Sequence, residues 1–310
     1  MPAHCSVPLS RPADRDTSAV PIAPIPNEAF RSFVDGVIIR SMIGIFDSGV
    51  GGLSVLRAIR AELPRYPVLY LADQAHVPYG PRTLEEVRGF SESVARFLLA
   101  RGAKLIVVAC NAASAASLHY LRATFPAVPI VGMEPAVKPA AESTHSGVVG
   151  VLATPATFQG ALYASVIERF AHGVEVMQDV CLGLVGQVER GDLDGPETRA
   201  ILEKALRPML ARGMDTVVMG CTHYPFIIPL IREIAGPGVR VIDPAPAVAR
   251  QTARVLAAHG IESDLAQLPE VRFFTSGPPE DLAALLPRML GPEYAGQPVQ
   301  GLSWVEMRLE

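Results

Sequence analysis

The chain has 310 residues, of which 49% are hydrophobic and 19% are charged. This length is sufficient for two domains of ordinary size, each with its own apolar core. The net charge of −4, with both signs scattered along the chain, argues against a nucleic-acid partner, which needs a basic surface. No apolar run reaches the roughly 18 residues of a membrane-spanning helix, so the sequence predicts a soluble protein with no membrane partner.

The four cysteines lie far apart, at positions Cys5, Cys110, Cys181 and Cys221. They form no C-x-x-C pair and no spacing typical of a disulfide framework or a structural zinc site, a usage that fits a reducing cytoplasm. Residues 1–41 are rich in proline and lack the continuous apolar segment of a secretory signal peptide. We therefore predict a cytoplasmic protein with a disordered tail over residues 1–41.

From Met42 onward, short apolar runs alternate with amphipathic stretches, which is typical of βαβ units and a parallel sheet. The predicted strands are MIGIFD (42–47), PVLYLAD (67–73), KLIVVAC (104–110), VPIVGM (128–133), GVVGVLAT (147–154), VEVMQD (174–179), DTVVMGC (215–221), VRVIDP (239–244) and VRFFTSG (271–277). The predicted helices are GLSVLRAIRAELP (52–64), LEEVRGFSESVARFLLARG (84–102), AASLHYLRATF (115–125), TFQGALYASVIERFAHG (157–173), PETRAILEKALRPMLARG (196–213) and AVARQTARVLAAHG (247–260).

An internal repeat relates two parts of the chain. FLLARGAKLIVVACNAAS (97–114) and PMLARGMDTVVMGCTHYP (208–225) both run from a helix that stops at Gly, through a strand, to a cysteine and a polar residue. The repeat predicts two pseudo-symmetric α/β domains with parallel sheets. We place the first domain at residues 42–133, with residues 245–310 returning to it, and the second at residues 134–244.

The repeat puts Cys110 and Cys221 at the carboxyl ends of strands, where open parallel sheets bind their ligands. A following helix would favour the thiolate of each through its amides and its dipole. Facing each other across one cleft, two thiols suit the inversion of a carbon centre, because a base is needed on one face and an acid on the other. A free thiol has a pKa of about 8.5, so a modest downward shift gives a competent base.

Other interpretations of these residues stay open at this point. Both cysteines could be buried structural residues, a redox pair, or part of a Cys–Cys–His metal site with His223. The glycines of GIFDSGVGGLS nearly match a dinucleotide-binding fingerprint through Gly49, Gly51 and Ser54. A tight turn between a strand and a helix explains the same glycines.

Four motifs together resemble the cofactor-independent aspartate/glutamate racemase superfamily, and glutamate racemases in particular. They are GIFDSGVGGLSVLRAI (44–59), YLADQAHVPYG (70–80), ACNAASA (109–115) and GCTHYP (220–225). The resemblance implies two α/β domains that close over the amino acid, with the active site in the cleft between them. It also implies interconversion of L- and D-glutamate to supply D-glutamate for peptidoglycan, without a cofactor or a metal, and it allows a homodimer.

The resemblance assigns Cys110 and Cys221 as the acid/base pair, with Cys110 acting on the D form and Cys221 on the L form. Asp47 resembles the carboxylate that assists the first thiol, although a strand-end Asp is also a common helix N-cap. His223 resembles the imidazole that assists the second thiol. Glu189, in the segment LVGQVERG, resembles the carboxylate that pairs with this histidine, or is an ordinary solvated side chain.

Substrate contacts implied by the resemblance involve Ser48, Asp73, Pro78, Tyr79, Gly80, Asn111, Ala112, Thr154 and Thr222. Asp73 and Thr154 have the alternative of capping the turn or helix that follows them. Ala112 departs from the family pattern CNTAS, in which a threonine hydroxyl would contact the substrate, and DPAPAVA (243–249) replaces DSGEAVA. The missing hydrogen bond is worth on the order of 1 kcal/mol.

Three rival functions follow from these observations. A racemase of the same superfamily that acts on aspartate or another acidic amino acid is the nearest, because Ala112 alters the expected substrate contacts. A non-catalytic regulator that keeps the fold and the cleft has no need of two thiols. A hydrolase built from Cys221 and His223 has poor predicted geometry, since residues two apart rarely converge as nucleophile and base.

Overall fold

The computed structural model describes residues 33–34, 37–38, 41–263 and 269–310. The predicted disordered tail of residues 1–41 therefore lies mostly outside the described residues, as does Cys5. Inside that stretch, strand β1 (Phe33–Val34) pairs antiparallel with strand β2 (Val37–Ile38). In the described residues, no helix combines the length and the apolar character needed to cross a membrane.

Strands and helices alternate along the rest of the chain. The further strands are β3 (Met42–Asp47), β4 (Val68–Ala72), β5 (Ala103–Val108), β6 (Ile130–Val131), β7 (Val148–Ala153), β8 (Glu175–Asp179), β9 (Thr216–Gly220), β10 (Arg240–Ile242), β11 (Val271–Thr275), β12 (Val299–Gly301), β13 (Trp304–Val305) and β14 (Arg308–Leu309). The helices are α1 (Leu53–Glu62), α2 (Leu84–Ala100), α3 (Asn111–Thr124), α4 (Val137–Ser143), α5 (Pro155–Gln159), α6 (Ala161–Phe170), α7 (Leu184–Glu189), α8 (Pro196–Ala211), α9 (Ile228–Ala235), α10 (Ala245–Ala258) and α11 (Pro279–Leu290).

Two parallel sheets form the frame of the molecule. The first has six strands in the order β12-β11-β4-β3-β5-β6, and the second has four in the order β10-β9-β7-β8. Every residue of β3, β4, β7 and β9 is buried, as expected for the apolar central strands of sheets covered on both faces. The α/β class with parallel sheets is confirmed. The domain boundaries at 133/134 and 244/245 stay a prediction.

An apolar core joins the two sheets. Its buried members include Val50 and Ala109, from the half that carries the first sheet, and Leu184, Met219 and Cys221, from the half that carries the second. Because apolar burial stabilises by roughly 25 cal/mol per Å², this shared core holds the carboxyl ends of β3, β5 and β9 against one another.

All nine predicted strands are present as β3 to β11. The helix predicted for residues 157–173 is wrong in one respect, since it is divided into α5 and α6 at Gly160. Gly160 has an extended backbone and lies so close to α3 that an added Cβ would be 2.6 Å from the Cβ of Ala115. Helices α4, α7, α9 and α11 were not predicted.

Candidate active site

Cys110 lies between β5 and α3, at the N-cap of the helix. Its Sγ accepts a hydrogen bond from the backbone N–H of Ala113 at 3.4 Å and is 3.8 Å from Oγ of Ser48. The side chain is buried, with 5% of the residue exposed. Because a buried strand is followed at once by a helix, this thiol lies just beyond the carboxyl ends of the strands of the first sheet.

Cys221 occupies the equivalent place in the second sheet, directly after β9. Its Sγ is 3.6 Å from Nδ1 of His223, and the residue is 6% exposed. Gly51 allows the loop before α1 to approach this pair, since a Cβ at Gly51 would be 2.4 Å from His223 Nδ1. The second thiol and its imidazole are therefore covered by the first half of the molecule.

Both thiols line one narrow cavity between the two halves. Its volume is only about 10 Å³, roughly the room that one water molecule needs, so the halves must separate to admit an amino acid. Of the predicted site residues, it brings together Ser48, Pro78, Tyr79, Gly80, Cys110, Asn111, Ala112, Thr154, Cys221, Thr222 and His223. Val185 of α7 also lines it and was missed, because an isolated apolar residue gives no signal in the sequence.

Asn111 presents an unsatisfied polar atom at this cavity. Its Nδ2 is 2.9 Å from Sδ of Met133, while its Oδ1 is buried and has no hydrogen-bond partner. A buried polar atom without a partner costs about 1–3 kcal/mol. An acceptor oxygen in this position is suited to a cationic or N–H donor that enters the cavity.

Asp47 lies behind the cavity wall and does not line it. Its Oδ1 accepts the backbone N–H of Gly49 at 2.9 Å, and its Oδ2 accepts the hydroxyl of Thr222 at 2.9 Å. Helix α1 begins after Gly52 with no side-chain cap, so the N-cap interpretation of Asp47 is wrong. The carboxylate instead joins the end of β3 to the residue that follows Cys221.

Glu189 pairs with His223, with Oε1 2.6 Å from Nε2. The same Oε1 accepts the backbone N–H of Val50 at 2.8 Å, and Oε2 accepts Nε2 of Gln74 at 3.1 Å. The solvated interpretation of Glu189 is wrong, because these contacts hold its carboxylate between the two halves. Gln74 was missed, although it stands in the motif YLADQAHVPYG.

The electrostatics of the two thiol sites differ. Burial raises the pKa of the Cys110 thiol, the Asp47 carboxylate raises it further, and the N–H of Ala113 only partly offsets them. The expected downward shift of the pKa is therefore wrong for Cys110. Burial acts to lower the pKa of His223, but its bonds to Cys221 and Glu189 hold it well above the usual value. The raised pKa favours the protonated form of the imidazole beside Cys221.

The structure places Thr154 at the cavity, as predicted, and Asp73 behind it. Asp73 is fully buried and does not line the cavity; its carboxylate accepts the hydroxyl of Tyr79 at 2.6 Å. Thr154 lines the cavity at the N-cap of α5 but makes no capping bond to the helix backbone, because its Oγ1 pairs with Oγ1 of Thr157 at 3.1 Å.

Comparison with known proteins identifies the family. A family model described as Asp/Glu/Hydantoin racemase matches residues 48–252. The chain belongs to this family. A glutamate racemase from Pseudomonas aeruginosa is 51% identical over 256 residues, covering 82% of this chain and 96% of that protein. A glutamate racemase from Roseiflexus sp. is 52% identical over 248 residues, covering 80% and 91%. The resemblance seen in the four motifs is confirmed.

Solved structures agree with the family assignment. Escherichia coli glutamate racemase, in complex with L-glutamate and the activator UDP-MurNAc-ala, matches with a TM-score of 0.75 at 32% identity, covering 86% of this chain and 99% of that one. Glutamate racemase from Francisella tularensis, in complex with D-glutamate, matches with a TM-score of 0.73 at 28% identity, covering 86% and 98%.

Two alternative interpretations of this racemase can be judged from the geometry. The turn with Gly49 and Gly51 is filled, since the N–H of Val50 already binds Glu189 and a Cβ at Gly49 would be 1.9 Å from the same carboxylate. No room for a dinucleotide phosphate is left there. The prediction that Cys221 and its histidine fail to converge is wrong, because their reactive atoms are 3.6 Å apart.

Proposed function

We propose that this racemase interconverts L- and D-glutamate by moving the α-proton between the substrate and two thiols, Cys110 and Cys221. The observation that carries the proposal is that both thiols line one small cavity between the halves. The homologues that cover most of the chain are named glutamate racemases, and two solved neighbours hold L- or D-glutamate. The product D-glutamate serves peptidoglycan synthesis.

The proposed reaction has two proton transfers. One cysteine, as the thiolate, takes the α-proton of glutamate, and the electron pair of the broken C–H bond remains on a planar carbanion. The other cysteine, as the thiol, donates its proton to the opposite face. For the reverse direction the roles exchange, so each cysteine is the base for one enantiomer. We assign Cys221 to the L form and Cys110 to the D form.

The neighbours of each thiol support these roles. The His223 imidazole lies 3.6 Å from the Cys221 sulfur, close enough to exchange a proton with it. Burial keeps Cys110 protonated by raising its pKa, and the ammonium group of bound glutamate brings positive charge close to this thiol. The unsatisfied Oδ1 of Asn111 is suited to accept a hydrogen bond from that ammonium.

Three further residues complete the proposed machinery. Asp47 acts on the first thiol through its charge and holds Thr222 next to the second thiol, and Glu189 orients His223. The remaining cavity residues hold the carboxylates of the substrate by hydrogen bonds and by shape. Asp73 acts behind the wall and not as a substrate contact.

A cytoplasmic location is part of the proposal, because a reducing compartment keeps such thiols free. In the described part of the chain, Cys110, Cys181 and Cys221 are all free. The homodimer allowed by the family resemblance stays a prediction, which gel filtration with light scattering measures directly.

Chiral chromatography of glutamate and aspartate incubated with the reduced protein tests the substrate. We expect kcat/KM for glutamate to exceed that for aspartate by at least 100-fold. Preference for aspartate contradicts the glutamate assignment but keeps the two-thiol reaction. Saturable binding of glutamate without turnover of either substrate supports the non-catalytic regulator instead.

A further inference from the structure

Asp73 is a hub of hydrogen bonds just behind the substrate cavity. Its buried carboxylate accepts bonds from four side chains, namely Tyr79 Oη at 2.6 Å, Ser276 Oγ at 2.5 Å, Trp304 Nε1 at 2.8 Å and His76 Nδ1 at 2.9 Å. The donors come from three separate stretches of the chain. Only one of them, Tyr79, also lines the cavity.

Tyr79 connects this hub to the substrate. It lies between Pro78 and Gly80, and all three residues form one wall of the cavity. Burial and the neighbouring Asp73 carboxylate raise the pKa of Tyr79 well above its usual value, so its hydroxyl stays protonated and donates to Asp73. A shift of the Asp73 carboxylate would therefore move the Tyr79 ring and the wall with it.

Trp304, another donor to Asp73, belongs to a small hairpin made of β13 and β14, here called the Trp304 hairpin (residues 303–310). Its strands have two residues each, which is too short for stability on their own. Its turn residues Glu306 and Met307 have φ values of 46° and 61°, a left-handed backbone that is unfavourable for residues other than glycine. Contacts with the rest of the protein must hold the hairpin in place.

Helix α2 provides part of that support. Oγ of Ser93 donates to the carbonyl of Met307, and Gly89 leaves room for the Met307 methyl group, which would be 3.2 Å from a Cβ at Gly89. The indole of Trp304 lies edge-on to the rings of His76 and Phe90, with centroid distances of 4.8 and 5.5 Å. The indole N–H is thereby aimed at Asp73.

We propose that Trp304 is a positioning residue for the reaction. Through Asp73 it fixes the Tyr79 ring, and with it the cavity wall of Pro78 and Gly80, in the conformation that accepts glutamate. The inference rests on the proposed function, because it concerns the binding of that substrate. It assigns a role in the active site to a hairpin that lies 231 residues along the chain from the carboxylate it binds.

Steady-state kinetics of Trp304→Phe test this role. Phenylalanine keeps an aromatic ring against His76 and Phe90, while it removes the N–H donor together with the packing of one ring of the indole. We expect KM for glutamate to rise about 5- to 10-fold, equivalent to one lost hydrogen bond of about 1 kcal/mol, while kcat stays within about 2-fold. Val305→Ala is the control, since Val305 is on the same strand and half-exposed, and its KM should be unchanged.

A double-variant comparison separates this role from general stabilisation. Tyr79→Phe removes the bond that connects Asp73 to the cavity wall, so we expect Trp304→Phe to raise KM no further in the Tyr79→Phe background. Additive effects, or a wild-type KM in Trp304→Phe, overturn the proposal. Absence of glutamate turnover in the wild-type protein contradicts the proposed function instead.

Tryptophan emission gives a second readout, because Trp304 is the only tryptophan of the chain. Titration with D-glutamate should change the emission of the wild-type protein with a midpoint near KM, and the change should be lost in Tyr79→Phe while calorimetry still detects binding. Emission that stays constant up to saturation in the wild-type protein overturns the proposal.

Discussion

At the scale of single residues, the cavity combines groups that are costly to bury, and substrate binding relieves part of that cost. Asn111 has a buried acceptor without a donor, and Cys110 is a buried thiol next to a carboxylate. Such features are typical of functional sites, because a well-packed core removes them. In the proposed reaction, the ammonium group of glutamate bonds the Asn111 acceptor and places positive charge near Cys110.

Ala112 gives the first prediction at this scale. Ala112→Thr restores the hydroxyl found in the family pattern at a position that lines the cavity. We expect KM for glutamate to fall about 5-fold, because one added hydrogen bond contributes about 1 kcal/mol. Ala112→Val is the matched control, since valine has nearly the same shape without the hydroxyl. Equal kinetics for the two variants would show that only volume matters at this position.

His223 gives a prediction about pH. Because its folded-state pKa is raised above 6.5, its ion pair with Glu189 stabilises the folded protein fully below about pH 6.5, and the contribution is lost as the pH rises through the folded-state pKa. We expect His223→Gln to lower the free energy of unfolding by about 1.5–3 kcal/mol at pH 6, with a smaller loss at higher pH. Urea denaturation between pH 6 and pH 10 measures this. A loss that grows with pH would contradict the assignment.

At the scale of elements, the loops that follow the strands connect the two halves. Glu189, at the end of α7, receives bonds from Val50 after β3, from Gln74 after β4 and from His223 after β9. The orientation of His223 next to Cys221 therefore depends on the closed arrangement of the halves. We expect substrate entry to require these bonds to open, because the cavity is narrow and both thiols are buried.

Gln74 gives the prediction at this scale. Gln74→Met keeps the length of the side chain but removes the donor to Glu189, and we expect kcat/KM to fall roughly 5- to 10-fold. Gln74→Glu brings a second carboxylate against Glu189 and should cost more through like-charge repulsion. An isotope effect with 2-deuterated L-glutamate should increase in Gln74→Met, since the transfer at Cys221 is slowed. Unchanged kinetics in both variants would contradict this connection.

At the scale of the whole molecule, the sequence predicted what depends on local pattern. Apolar runs and a repeat around Cys110 and Cys221 predicted the parallel strands and a shared cleft. Contacts between distant residues were not predictable, such as Trp304 with Asp73. The raised pKa of Cys110 was not predictable either, because burial of a side chain depends on the packing of both halves.

Proton NMR of L-glutamate in D2O tests the central claim, the transfer of the α-proton between two thiols. With the wild-type protein we predict loss of the α-proton signal and formation of D-glutamate by chiral chromatography. Cys110→Ser and Cys221→Ser should each slow racemisation by about 10²- to 10⁴-fold. Cys181→Ser should stay within a few-fold of wild type, since this buried free thiol does not line the cavity. Racemisation that stays within about 10-fold of the wild-type rate in either of the first two variants would contradict the account.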